Sequence, residues 1–169
     1  MAEEQQTEQQ TERQTEQQEK QQTERQKWMA TLAKAPVQEL ETLFAQVKPV
    51  PDYRFLRSPE TGLTMVRGRA GGVGQVFNLG EMSLTRCVVQ LFAGAAEPIA
   101  GFGYVGGRSH RHAELAALCD GLLQHAEWHQ EIAQKVVEPL RAIALKKKAQ
   151  QQQQTAATKV DFFTMLRGE

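Results

Sequence analysis

Apolar and polar positions along the chain alternate with changing periods, and each change marks an element. Between Ala2 and Trp28 no apolar residue occurs: the block EEQQTEQQTERQTEQQEKQQTERQ repeats a Gln/Thr/Glu unit and has nothing with which to join a core. Residues 1–27 are therefore expected to form a low-complexity, disordered or at most loosely helical extension. At Trp28 a helical stripe begins with Trp28, Met29 and Leu32, and Pro36 sits where a first-turn proline would start a second helix. Val37, Leu40, Leu43, Phe44 and Val47 then recur at spacings of three and four, one face of an amphipathic helix. From Tyr53 to Val105 the pattern becomes short β-type runs between turn residues: Tyr53 to Leu56, a Ser58-Pro59-Glu60-Thr61-Gly62 turn, Leu63 to Arg67, the Gly71-Gly72-Val73-Gly74 loop, a run around Val76 to Leu79, another from Leu84 to Phe92, and a last from Ile99 to Val105. About five strands are expected. Their short connections make them antiparallel, since no crossover helix lies between them.

After Gly106-Gly107-Arg108 the helical period returns with Leu115, Leu118, Cys119, Leu122 and Leu123, so a long helix starting near Ser109 should cover one sheet face. A break at Pro139 and a final helical run to about Lys148 complete a domain over residues 28–148. Residues 149–159, rich in Gln, Thr and Ala, read as a linker. The tail over 160–169 carries Val160, Phe162, Phe163, Met165 and Leu166, and so apolar an end predicts docking on a partner. The fold class is α+β: N-terminal helices, then an antiparallel sheet covered by C-terminal helices.

Composition narrows the function classes. The 169 residues suffice for one domain of ordinary size, and 20 basic against 20 acidic side chains exclude a polycationic nucleic-acid binder and an acidic mimic alike. The balance is uneven, because Glu3 to Lys27 holds seven Glu against four Lys and Arg, which leaves the rest of the chain at net +3. No apolar run is long enough to span a bilayer or to serve as a signal peptide, so a cytoplasmic protein without membrane contact is expected. Cys87 and Cys119 form no CxxC pair and read as buried thiols.

The densest polar cluster is Arg108-Ser109-His110-Arg111-His112-Ala113-Glu114, at the junction of a glycine turn and a helix start. Free amides and the positive end of the helix dipole favour an anion there, with Arg108, His112 and Glu114 as the candidate group and Arg67, Arg69 and Arg86 extending the cationic surface. The alternative is that Ser109 simply caps the helix and the basic side chains solvate its first turn. His125 and His129 are four apart, a spacing usable by two metal ligands, but no third ligand is placed and no HExxH surrounds them, so no metal site is assigned. Gly71-Gly72-Val73-Gly74 lacks the Lys and Ser/Thr of a phosphate-binding loop and is expected to be a hairpin loop or a close backbone approach.

Four strings in order, WMATLAKA, SPETGLTMVRGRAGGVGQVFNLGEMSLTRC, GYVGGRSHRHAELAALCDGLLQ and VDFFTMLRGE, resemble the PhnG family, the G subunit of the bacterial carbon-phosphorus lyase system, from Lys27 to the C-terminus. The resemblance departs at Ser109, where the family more often has Asp, a change that keeps the capping role. It implies a subunit that acts with the H, I and L subunits in transferring ribose 5-triphosphate from ATP to methylphosphonate with release of adenine. The implied partners are the I, H, J and L subunits, with direct contact to I, which should hold most of the chemistry. ATP, with a divalent cation, is then a substrate of the complex, and this chain alone binds no cofactor. A purely structural assembly role in the same complex is the alternative.

Overall fold

A computed structural model of the chain describes residues 19–47, 49–92 and 97–158. Its elements in order are helix α1 over residues 19–34, helix α2 (Val37–Phe44), strands β1 (Tyr53–Arg69), β2 (Val76–Leu91) and β3 (Ile99–Gly106), helices α3 (His110–Gln124) and α4 (Ala126–Ile132), a π-helical turn (Ala133–Val137), and helix α5 (Glu138–Ala157). The strands form one antiparallel sheet in the order β1-β2-β3. On its inner face Thr85, Cys87, Val89 and Leu91 of β2 and Val105 of β3 are fully or almost fully buried against α3. Leu32 of α1, Leu40 of α2, and Ile132, Val136 and Leu140 close the same core from its other side.

The class and the antiparallel sheet agree with the sequence reading, but the described residues form three long strands where about five were expected. The Ser58-to-Gly62 segment is not a turn: it lies inside β1, where pairing with β2 shifts between Phe55 and Arg57 and again between Arg57 and Glu60. Because β1 is an edge strand, Pro59 can be accommodated at such a shift without breaking a ladder on both sides. Likewise the runs around Val76 and Leu84 are one strand, with Gly80 at φ 151° beside the irregularity at Val66/Arg67. Turn-forming residues thus became bulges, while Gly71-Gly72-Val73-Gly74 is the β1–β2 hairpin loop as expected.

Two further boundaries differ. Residues 19–27, expected to be disordered or loosely helical, form the regular first part of α1, and α5 continues to Ala157 through the segment read as a linker. Gln, Ala and Lys are good helix formers even where they bury nothing, so a helix already nucleated in the core propagates through them. Pro139 does not end the helical run: the backbone stays helical from α4 into α5, and the π-helical turn Ala133–Val137 just before the proline accommodates its missing N–H. The apolar tail with Phe162, Phe163, Met165 and Leu166 lies outside the described residues.

The contact between α3 and β3 is unusually close. A Cβ on Gly103 would collide with the Ala113 carbonyl, and one on Gly101 with the Ala117 carbonyl and with Gly121. Helix residues four apart rise about 6 Å, and strand residues two apart about 6.6 Å, so the stripe Ala113, Ala117, Gly121 can run antiparallel to Gly103 and Gly101 in register. At this distance the carboxylate of Asp120, fully buried, reaches the outer strand and α1 together. It accepts the Phe102 amide at 3.0 Å, Arg25 Nε at 3.1 Å and Nη2 at 2.7 Å, Trp28 Nε1 at 2.9 Å and Gln124 Nε2 at 3.2 Å. Gln124 also donates to the Ala100 carbonyl at 3.0 Å.

Gly101→Ala and Gly103→Ala should each lower stability by about 3 kcal/mol or prevent folding, because backbone cannot yield as a side chain can. Gly62→Ala, whose added methyl meets nothing within 4 Å, should stay within about 0.5 kcal/mol. Urea unfolding midpoints compare the three. By the same measurement Asp120→Ala should cost about 3 kcal/mol, since it strands Arg25 and the donors of Trp28 and Phe102 together.

Candidate functional site

The β3–α3 junction is built as a capped helix start tied to the sheet. Ser109 Oγ accepts the His112 amide at 3.2 Å, which is the N-cap expected for this residue. The loop before it is anchored twice: Gly107 N–H donates to the Ser83 carbonyl at 2.9 Å, and the buried Thr85 hydroxyl to the Gly107 carbonyl at 2.7 Å. Thr61 Oγ1 lies 2.9 Å from the Thr85 hydroxyl and 3.2 Å from His110 Nε2, so the helix start is linked across β2 to β1.

The side chains of the predicted cluster diverge from this point. His112 turns inward, and its Nε2 lies 2.8 Å from the Leu32 carbonyl, where it holds the end of α1. Glu114 accepts the Tyr53 hydroxyl at 3.0 Å and Arg111 Nη1 at 3.1 Å, while Arg111 also reaches Glu41 of α2 at 3.2 Å. Burial opposes the Arg111 charge, but Glu114 foremost, and Glu41, outweigh it and hold the guanidinium above its ordinary pKa. Burial first, and then the hydrogen bond to Glu114, push the Tyr53 phenol up. Arg86 lies on the face opposite the buried Thr85 and Cys87 and pairs with Glu60 at 2.7 Å. Arg69, near the hairpin loop, donates to the Gly74 carbonyl at 3.2 Å. Arg108 is exposed and has no ion pair or hydrogen bond among the described residues, which leaves its guanidinium available beside the amides of the α3 start. The structure therefore brings Ser109, His110 and Arg108 to one edge and takes His112, Glu114, Arg69 and Arg86 to separate contacts.

His125 and His129 do not share a helix face. His125 has extended backbone between α3 and α4, and its Nδ1 accepts the Glu127 amide at 3.3 Å. His129 Nδ1 lies 2.6 Å from the Leu123 carbonyl, and its ring meets the Trp28 ring edge-on at 5.8 Å. No group of three or more His, Cys, Asp or Glu among the described residues is arranged to hold a metal ion. A hollow of about 770 Å³ opens beside His129, lined by Lys20, Arg25, Trp28 and Gln124 among others, but the Arg25 guanidinium on its wall is already bidentate to Asp120.

The polar centre missed in the sequence is Arg25 with Asp120. Its signal was present: Arg25 precedes Trp28 and Leu32 at helical spacing, and Asp120 is the one charge within the apolar run LAALCDGLL. A lone charge in an otherwise buried helix needs a buried partner.

A family model described as phosphonate metabolism protein PhnG matches residues 23–168, a span that includes Arg25. The chain is also 39% identical over 146 residues to a protein of Rhizobium meliloti (strain 1021) named alpha-D-ribose 1-methylphosphonate 5-triphosphate synthase subunit PhnG, covering 86% of this chain and 90% of that relative.

Cys87 and Cys119 are both buried free thiols. Burial, with the charge of Glu114 adding, pushes Cys87 up from 9.0 to about 11, and burial, with Asp120 adding, pushes Cys119 up as well. A raised thiol pKa stabilises the fold fully below the unfolded value near 9 and is lost as pH rises from about 9 through about 11. Unfolding midpoints recorded from pH 7 to 11 should therefore fall in that window, and less steeply in Cys87→Ala. Native protein should also resist thiol-specific labelling that goes to completion after unfolding. His112→Ala should lower stability by about 1–3 kcal/mol through the orphaned Leu32 carbonyl, again read from urea midpoints.

Proposed function

Because the chain belongs to the PhnG family of phosphonate-metabolism proteins, we propose that it is a subunit of an α-D-ribose 1-methylphosphonate 5-triphosphate synthase, required with partner subunits for organic phosphonate breakdown. The observation that carries this reading is the 39% identity to a named subunit across 90% of that protein. The reaction joins a phosphonate oxygen to the anomeric carbon of ATP's ribose while the bond to adenine breaks, so the electron pair of that bond leaves with the base. It needs cations for the triphosphate and phosphonate, a proton for the adenine, and stabilisation of an oxocarbenium-like centre.

This chain is suited to the first need. Arg108 presents a guanidinium next to helix-start amides, the combination that favours phosphate oxygens. Its candidate acid–base residues are engaged elsewhere, His112 with the Leu32 carbonyl and Glu114 with Tyr53 and Arg111. These contacts support a subunit that completes an anion site and shapes the assembly, with proton transfer and the anomeric centre handled by the I subunit in direct contact and the H, J and L subunits as further partners. ATP and its divalent cation are substrates of the complex, and the cation travels on the triphosphate. No helix among the described residues is long and apolar enough to cross a membrane, which accords with a cytoplasmic setting.

Reconstitution of the synthase with and without this chain, followed by adenine release from ATP and methylphosphonate, tests the reading. Release should require the chain. Arg108→Ala should assemble normally and weaken ATP or phosphonate use about ten- to hundred-fold, the effect of losing one charge-assisted contact of about 1.5–3 kcal/mol. Unchanged release from an assembled Arg108→Ala complex would favour the purely structural role instead.

A further inference from the structure

Strands β1 and β2 run well past the end of β3. The β3 ladder covers β2 only from Leu84 to Leu91, so the hairpin from Gly62 to Ser83 projects as a two-stranded ribbon about 25 Å long. Such a ribbon is marginal by itself. Its large apolar side chains are nevertheless turned to solvent: Leu63 is 68% exposed, Leu79 61%, Met65 48%, Phe77 47% and Met82 44%. They occupy both faces. Leu63 and Met65 pair with Ser83 and Glu81, whereas Met82 and Phe77 pair with Thr64 and Gly68, the alternate positions of β1.

An apolar ribbon exposed on one face could lie on a flat surface. One exposed on both faces is buried only by entering a cleft. Its charge says whose cleft. Arg67 and Arg69 stand near the tip against the single carboxylate of Glu81, and among the described residues Arg67 has no partner while Arg69 reaches only the Gly74 carbonyl. Two copies of this chain joined ribbon to ribbon with their tips together about a two-fold axis would set these guanidiniums against each other.

We propose that residues 62–83 form an arm that inserts into an apolar cleft of a different synthase subunit, one that presents Asp or Glu side chains where the tip arrives. This rests on the subunit reading above. The test uses the full chain co-expressed with the other synthase subunits. Amides of the arm should exchange hydrogen at least tenfold more slowly in the complex than in the free chain. Leu63→Glu/Phe77→Glu should lower affinity for the complex at least a hundredfold. Arg67→Glu/Arg69→Glu should lower it about tenfold, an effect that shrinks with added salt. A photo-crosslinker at Phe77 in the otherwise unaltered chain should join it to another subunit, a readout independent of how the variants fold. Failure of the unaltered chain to enter the complex overturns the subunit reading and the arm with it. Normal entry of both double variants, an arm that exchanges freely within the complex, or crosslinks only to a second copy of this chain would overturn the arm alone.

Discussion

Everything that makes this chain one body follows from how closely α3 lies against β3. Gly101 and Gly103 offer no Cβ, and the facing stripe of Ala113, Ala117 and Gly121 offers little, so main chain meets main chain. Only at that distance can Asp120 accept the amide of Phe102, and only because Asp120 is then walled in does it require Arg25 and Trp28 as partners. A buried carboxylate without donors costs several kcal/mol, which ties α1 to the sheet through charge rather than through apolar area. Among the described residues, no buried side-chain nitrogen or oxygen lacks a hydrogen-bond partner, so the polar interior is closed.

That closure shapes the candidate site. Side chains at the α3 start are each claimed by another element, His112 by the Leu32 carbonyl of α1, Arg111 by Glu41 of α2 and Glu114 by Tyr53 of β1, and Arg111 and Glu114 also pair with each other. What is left over is a helix start, Ser109 as its cap, and the exposed guanidinium of Arg108, which has no partner among the described residues. Binding an anion there needs no rearrangement of the core. Of the titratable groups of the predicted cluster, His112 and Glu114 are already held by other elements.

The sheet shows the complementary economy. One face of β2 and β3 is sealed by α3, whereas the β1–β2 hairpin continues past the end of β3. Stability is concentrated at the base, where three strands and four buried apolar or polar β2 residues meet the helix. Among the described residues, the apolar side chains at the far end are turned largely to solvent and join no buried core. For a chain with a relative named as a synthase subunit, that division between a self-sufficient base and an unsatisfied extension is physically reasonable.

The sequence by itself determined the α+β class, the antiparallel order, the Ser109 cap, the hairpin loop at Gly71 to Gly74, the two buried thiols and the family. Each depends on local period, local turn chemistry or strings of residues, and these are written along the chain. The number of strands was decided by tertiary structure, because whether Pro59, Gly62 and Gly80 bend the chain back or only bulge it depends on the long partner strand available beside them. So was the reach of the helices at both ends: α1 is held from Arg25 by a carboxylate 95 positions away, and α5 extends from a core that nucleates it. The scattering of Arg69, Arg86, His112 and Glu114 belongs to the same class. Adjacency in sequence places backbones together, but a side chain goes where an opposite charge or an unpaired carbonyl is brought to it by the fold.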